Sequence, residues 1–177
     1  DIGPAGTNRW WIGAEVALHS TVHNRFLTIP NGGYVTGSHQ KDWNALPSDW
    51  NWKRFRIVDI GDGDVAFHCA ATNRFLRMRD NARLDASAEK SWNAFPANWG
   101  WERFRIVDAG DGEIGIYSPY HKRYVRMRDD ASTDATQPYW SDMNMPPKSE
   151  WTWERFRVVM TRLPIGAEIA LHSGKYN

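Results

Sequence analysis

The sequence predicts an all-β domain made of three similar repeats of about 49 residues. Short motifs return three times in the same order at a nearly fixed spacing. Within each motif apolar and polar side chains alternate with the period of a β-strand, and no segment has the spacing of an amphipathic helix. Turn sequences rich in Asp and Gly separate the repeats, at 59–63 and 108–112. The 177 residues suit one domain with a sizeable core.

Each repeat begins with a short alternating strand. These segments are 16–19, 65–68 and 114–117, each 49 residues after the one before. In the first segment Val16 and Leu18 fall on one face of the strand. The other two copies again carry apolar residues at the first and third positions, so this face is predicted to point into the core.

Two further strands are recognisable in each repeat. An Arg-aromatic-aliphatic motif recurs at 25–27, 74–76 and 123–125. A closing strand starts three times, at Trp52, Trp101 and Trp153. In its first copy Phe55 and Ile57 share a face, which is predicted to be the buried one, while the arginines share the other. The last step between closing strands is 52 residues, which indicates a net insertion of three in repeat three, near 143–147.

The motifs also set the predicted boundaries. Residues 1–11 form an N-terminal segment, and the repeated domain covers 12–161, with repeats at about 12–60, 61–109 and 110–161. Residues 165–173 nearly duplicate 12–20, so 162–177 is either a strand that closes the domain or the start of a fourth copy in a longer tandem protein. Both interpretations fit the sequence.

The three sets of motifs resemble the fascin-like, actin-cross-linking type of β-trefoil over nearly the whole chain. The resemblance lies in 16–20 followed by 25–27 and in the closing Trp-Glu-Arg-Phe of 101–104, seen three times in order. It implies a six-stranded barrel capped by three hairpins with pseudo-threefold symmetry. It also implies relatives that bind actin filaments or are presumed carbohydrate-binding modules. The present repeats are longer than is usual in that family, and no motif matches its actin-binding residues.

Composition and charge exclude several classes of function. Lys and Arg number 22 against 21 Asp and Glu, so the formal charge of +1 gives no overall field that would attract nucleic acid. The apolar stretches are too short to span a membrane. Cys69 is the only cysteine, which excludes an intramolecular disulfide and a thiolate metal cluster. No cofactor is indicated, and the compartment is left open with a slight preference for an extracellular one.

The sequence contains no pattern typical of a metal site or of a catalytic site. His19 and His23 are four residues apart, but a strand and its turn lie there rather than a helix, so the histidines are interpreted as structural. No nucleophile-and-base motif and no carboxylate pair stands out. Glu102 and Glu154 become Lys53 in the first copy and are interpreted as partners on the strand surface. The sequence therefore predicts a protein that is not an enzyme and holds no metal.

The candidate ligand-binding residues come from the aromatic and charged motifs of repeats two and three. An indole can stack on the C–H face of a sugar ring, although repeated tryptophans are also what a symmetric core would contain. Arginines and aspartates of the hairpins form either a solvated charged face or a polar pocket for hydroxyl groups. Repeat one lacks these groups, so two sites rather than three are predicted. The predicted site residues are Asn73, Arg77, Asp80 and Trp92 in repeat two, and His121, Arg126, Asp129 and Trp140 in repeat three.

The sequence thus favours a lectin-like module that binds a glycan or glycoconjugate through shallow pockets strengthened by multivalency. The alternative is a protein-binding or structural module, such as an actin cross-linker or a subunit of a larger assembly. The missing third pocket favours this alternative.

Overall fold

In the part of the chain that the structure describes, each repeat contributes four strands. The computed structural model describes residues 11–138 and 149–163. Repeat one contributes β1 (Glu15–Ser20), β2 (Arg25–Thr28), β3 (Thr36–Gly37) and β4 (Phe55–Asp59), with one 3₁₀ turn at Asn51–Lys53. Repeat two contributes β5 (Val65–Cys69), β6 (Arg74–Met78), β7 (Leu84–Ala86) and β8 (Arg105–Gly110). Repeat three contributes β9 (Glu113–Ser118), β10 (Arg123–Met127), β11 (Thr133–Ala135) and β12 (Phe156–Arg162).

The first and last strands of the repeats form a closed antiparallel barrel. β1 pairs with β12 and β4, β4 pairs with β5, and β9 pairs with β8 and β12. The ring is completed between β5 and β8 by two backbone hydrogen bonds that join Val65 and Phe104, with N···O distances of 2.7 and 2.9 Å. A closed barrel leaves no unpaired sheet edge among these six strands.

The middle strands form three hairpins that cap one end of the barrel. They are β2–β3, β6–β7 and β10–β11. Three equivalent backbone hydrogen bonds link them in a ring: Ala86 N to Gly33 O, Ala135 N to Ala82 O, and Gly37 N to Ala131 O, at 2.7, 2.8 and 2.7 Å. A six-stranded barrel with a three-hairpin cap is the β-trefoil arrangement, so the predicted fold class is confirmed.

The core contains the apolar faces predicted from the alternation. Phe55, Phe104 and Phe156 hold the same position in the three closing strands, and each is fully buried. The second face of the first strands is buried as well, since Ala17, His19 and His68 are almost inaccessible. Loops that follow the hairpins cover this outer face, where the carbonyl oxygens of Lys41 and Lys90 lie within hydrogen-bond distance of the His19 and His68 rings.

β1 and β12 pair to close the barrel. The predicted segment 162–177 lies outside the described residues except for its first two positions. In the part of the chain that is described, no helix is long and apolar enough to cross a membrane.

Candidate functional site

Two bidentate ion pairs occupy equivalent hairpins of repeats two and three. Arg77 on β6 lies directly opposite Asp85 on β7, and its Nε and Nη2 donate to the two carboxylate oxygens at 2.7 and 2.8 Å. Arg126 donates to Asp134 in the same way, with both distances at 2.7 Å. Hydrogen bonding to Asp85 raises the pKa of Arg77. Paired planar groups of this kind hold their orientation well, so each hairpin presents a fixed charged surface.

The acidic partners of these arginines differ from the aspartates that the sequence singled out. Asp80 and Asp129 lie in the turns of the two hairpins and are exposed. The carboxylates bound by the arginines are those of Asp85 and Asp134, eight residues further along the chain than each arginine. Arg79 and Arg128 add a second guanidinium to the same two carboxylates. The sequence signal for this pairing is the repeated Arg and Asp at a separation of eight, which places them face to face across a hairpin.

A buried carboxyl group lies beside each ion pair. Glu102 and Glu154 are only 4% and 5% exposed, so the prediction that they are surface residues is wrong. Burial raises the pKa of both carboxyl groups, and the charge of Arg77 or Arg126 opposes that rise. They are buried because the Trp-Glu-Arg-Phe segment passes beneath the hairpin before the closing strand begins. Each site therefore combines a guanidinium, the aspartate that pairs with it and a buried glutamate carboxyl group.

An indole and an imidazole complete each cluster. The guanidinium groups of Arg126 and Arg128 lie 6.0 and 5.6 Å from the ring centre of Trp153, within the range of a cation–π contact. The ring of His23, from repeat one, contacts the same indole at 5.5 Å. In repeat two Trp101 has His121 as its imidazole neighbour, at 5.8 Å.

His121 therefore belongs beside the repeat-two cluster rather than with the repeat-three residues with which the sequence grouped it. Its Nε2 lies 2.8 Å from the carbonyl oxygen of Met78, which follows Arg77 on β6. Burial lowers the pKa of His121, so the ring is neutral and donates to that carbonyl group.

Three residues of the repeat-three cluster, Arg126, Trp153 and Glu154, line a pocket of about 370 Å³. Trp151 and Trp153 supply aromatic surface, and Arg126 and Glu154 supply charged and hydrogen-bonding groups. Further polar side chains of the lining are Thr136, Gln137, Glu150 and Thr152. A concave site with apolar walls and a few converging polar groups is the usual form of a small-ligand site.

Asn73 and Trp92 lie in a separate group. The guanidinium of Arg56 stacks on the indole of Trp92 at 4.2 Å from the ring centre, and Arg56 is paired across β4 and β5 with His68. His68 Nε2 lies 3.2 Å from Asn73 Oδ1. The structure thus divides the predicted repeat-two residues between two places, while Trp140 lies outside the described residues.

Repeat one replaces the charged cluster by a different set. Thr28, Thr36 and Lys53 stand where repeat two has Arg77, Asp85 and Glu102. The Lys53 ammonium lies 4.5 Å from the ring centre of Trp50 and 5.7 Å from that of Trp52, and burial lowers its pKa. The combined guanidinium, carboxylate and carboxyl cluster accordingly occurs in repeats two and three.

Comparison with known proteins supports the fold and goes no further. No protein-family model and no curated protein matches the chain. Among solved structures the chain is similar to a designed threefold-symmetric protein, ThreeFoil, with a TM-score of 0.59 and 15% sequence identity. The match covers 82% of this chain and 97% of that one. At this identity the likeness shows a threefold β-trefoil fold, which is compatible with a binding module.

Proposed function

We propose that the protein is a non-catalytic carbohydrate-binding module whose sites are the two charged clusters. The observation that carries the proposal is the repeat-three pocket, where an indole, a guanidinium and a carboxyl group meet on one concave surface. A sugar ring has an apolar C–H face and a rim of hydroxyl groups that both donate and accept hydrogen bonds. An indole suits the first, and paired Arg and acid groups suit the second.

In this proposal each group has a distinct role. Trp153 stacks on the sugar ring, and Arg126 donates to hydroxyl oxygens through N–H groups that Asp134 does not use. Burial raises the pKa of Glu154, and its carboxyl group in the pocket lining accepts hydrogen bonds and, when protonated, donates one. Trp101, Arg77 and Glu102 are assigned the same roles in repeat two. Two weak sites on one rigid body gain avidity on a multivalent glycan without new contacts.

The proposal includes no chemical step. Asp85 and Asp134 each accept hydrogen bonds from two guanidinium groups, an arrangement that suits a recognition role.

A glycan array with paired tryptophan variants tests the proposal. We expect the native chain to bind a defined set of glycans and the Trp101→Ala, Trp153→Ala double variant to lose that signal. Loss of an aromatic anchor typically costs on the order of 2 kcal/mol, or about thirtyfold in affinity at each site. Trp52→Ala is the matched control, because Trp52 holds the equivalent position in repeat one, is 40% exposed and lacks the charged cluster. Circular dichroism and thermal melting verify that all variants are folded.

A blank array with folded native protein would overturn the carbohydrate proposal. A protein-binding or scaffold role is then the second candidate, supported by the departure of repeat one from the other two and by the resemblance to fascin-like trefoils. Actin is the first partner to try, by co-sedimentation with filaments.

A further inference from the structure

Three arginines at equivalent positions of the closing strands have different partners. In repeat two Arg105 donates from Nε and Nη2 to Asp64 at 3.2 and 2.8 Å. Arg56 and Arg157 instead lie over the indoles of Trp92 and Trp43, at 4.2 and 5.1 Å from the ring centres. Among the described residues neither has a carboxylate within 4 Å. In the described part of the chain these two guanidinium groups form no ion pair, although Glu15 and Glu113 lie opposite Arg56 and Arg157 on the neighbouring strands.

Arg56 lies between Glu15 on β1 and His68 on β5, and its guanidinium is in no ion pair with a described carboxylate at 4 Å or less. His68, its cross-strand neighbour, is buried, and burial lowers the pKa of the imidazole, with the charge of Arg56 acting in the same direction. The neutral ring donates its Nε2 proton to the carbonyl oxygen of Lys90 at 3.0 Å, with Asn73 Oδ1 at 3.2 Å from the same nitrogen. Since the oxygen of the Asn73 amide faces the imidazole, its Nδ2 donors point away from it. The site therefore offers the hydrogen-bond donors of Asn73 Nδ2 and the positive charge of Arg56.

Repeat one shows what occupies the equivalent place. There Asn24 Nδ2 donates to Asp42 Oδ1 at 2.9 Å, while His19 and the carbonyl of Lys41 repeat the contacts of His68 and Lys90. The two copies share a backbone hydrogen bond: Lys41 N donates to Asn24 O in repeat one, and Lys90 N donates to Asn73 O in repeat two, both at 2.7 Å. The residue equivalent to Asp42 in repeat two is Ser91. Repeat one thus holds a carboxylate of its own where repeat two has a small hydroxyl group.

We propose that repeat two binds the acidic group of a glycan, a carboxylate or a sulfate ester, at the place that Asp42 fills in repeat one. Asn73 Nδ2 and the Ser91 hydroxyl donate to the anion, and Arg56 supplies the positive charge. Trp92 is 46% exposed and provides aromatic surface for the attached sugar ring. The glycan origin of the anion rests on the proposed function, whereas the anion site itself rests on the comparison of the two repeats. This second site is built from different residues than the pocket of Trp153.

The test is an NMR titration of isotope-labelled protein that follows the side-chain amide signals of asparagine. The probes are methyl glucuronide, its neutral partner methyl glucoside, and sodium sulfate. We expect glucuronide and sulfate to shift the Asn73 amide saturably, with glucuronide binding at least about tenfold tighter than glucoside, because hydrogen bonds to a charged group are the stronger ones. Ser91→Asp installs the carboxylate of repeat one and should abolish the response. Asp42→Ser removes that carboxylate and should create an equivalent response at Asn24.

Equal responses to glucuronide and glucoside, or an unchanged response in Ser91→Asp, would overturn the acidic-group site. If neutral glycans bind on the array and depend on Trp101 and Trp153 while Asn73 ignores glucuronide and sulfate, the proposed function stands and this inference fails. If sulfate shifts Asn73 in a Ser91-dependent way while the array is blank and glucuronide has no effect, the anion site stands and the carbohydrate function fails. Both substitutions are at exposed loop positions, so the variants retain the fold.

Discussion

His19 and His68 hold equivalent positions in repeats one and two, and both are buried as neutral side chains. Each Nε2 donates to a backbone carbonyl, at 2.9 and 3.0 Å, and each ring packs edge-on against a phenylalanine at 4.8 Å. Among the described atoms, their Nδ1 nitrogens have no hydrogen-bond partner. Protonation would place a charge in this apolar setting, with Arg157 or Arg56 nearby to oppose it.

This burial predicts a specific pH dependence of stability. Because burial lowers the pKa of His19 and His68 in the folded state, the unfolded chain takes up protons first as the pH falls below about 6.5. Their contribution to the free energy of unfolding is complete above that pH and is lost towards the lower folded-state values. Each histidine adds at most about 1.4 kcal/mol per pH unit to the dependence of the free energy of unfolding on pH.

Urea denaturation between pH 7 and pH 5 measures this effect. His68→Gln should show a shallower loss of stability than the native chain, since one of the two imidazoles is gone. His39→Gln, at an exposed position, controls for the removal of a histidine. If His68→Gln loses stability with pH as steeply as the native chain, the His68 imidazole has the same pKa in the folded and unfolded states, which would contradict the prediction. Glu102 and Glu154 act in the opposite sense, because burial raises their pKa and their contribution is lost as pH rises.

At the residue scale, the sequence predicts that Arg77 and Arg126 take part in ion pairs, and the structure contains both pairs with other acidic partners. Repetition marks Arg77 and Arg126, and closeness along the chain points to Asp80 and Asp129 as their partners. The true partners depend on hairpin register, which brings residues eight apart face to face. That register is set by a turn whose left-handed residue is alanine in repeats two and three, so no Asn-Gly signal marks it.

At the scale of elements, the three hairpin turns share one left-handed backbone conformation, which glycine adopts in repeat one and alanine in repeats two and three. Gly33, Ala82 and Ala131 have φ values of 72°, 66° and 69°, and each donates its N–H to the carbonyl three residues earlier. Alanine is strained in this region, whereas glycine is not. The carbonyls of all three accept the hydrogen bonds that join the hairpins into the cap. Repeats two and three therefore form the same turn as repeat one in spite of local strain.

Gly33→Ala should lower the free energy of unfolding by about 1 kcal/mol. A Cβ at this position meets no atom within 4 Å, so the cost is that of the backbone alone. Ala131→Gly is the converse change and should stay within about 0.5 kcal/mol of the native value, since relief of strain is offset by the greater freedom of the unfolded chain. Urea denaturation measures both. A Gly33→Ala protein as stable as the native one would contradict a strained turn.

At the scale of the whole molecule, symmetry accounts for the fold and departures from symmetry account for the sites. The barrel strands could be predicted because their apolar alternation recurs three times, and Phe55, Phe104 and Phe156 do in fact share the core. The burial of Glu102 could not be predicted in this way, because it depends on tertiary contact between the Trp101 segment and the hairpin that contains Met78. The division of Asn73 and Arg77 between two sites likewise arises from contacts between adjacent repeats. Thr28, Thr36 and Lys53 then leave repeat one without the charged cluster.

The measurement that tests the central claim most directly is the number of glycan sites per chain. Isothermal titration with the neutral oligosaccharide that gives the strongest array signal should yield two sites for the native protein. Trp153→Ala and Trp101→Ala should each leave one site, and Trp52→Ala should leave two. Three sites, or the loss of one site in Trp52→Ala, would show that the aromatic positions bind without the Arg, Asp and Glu cluster and would contradict the account.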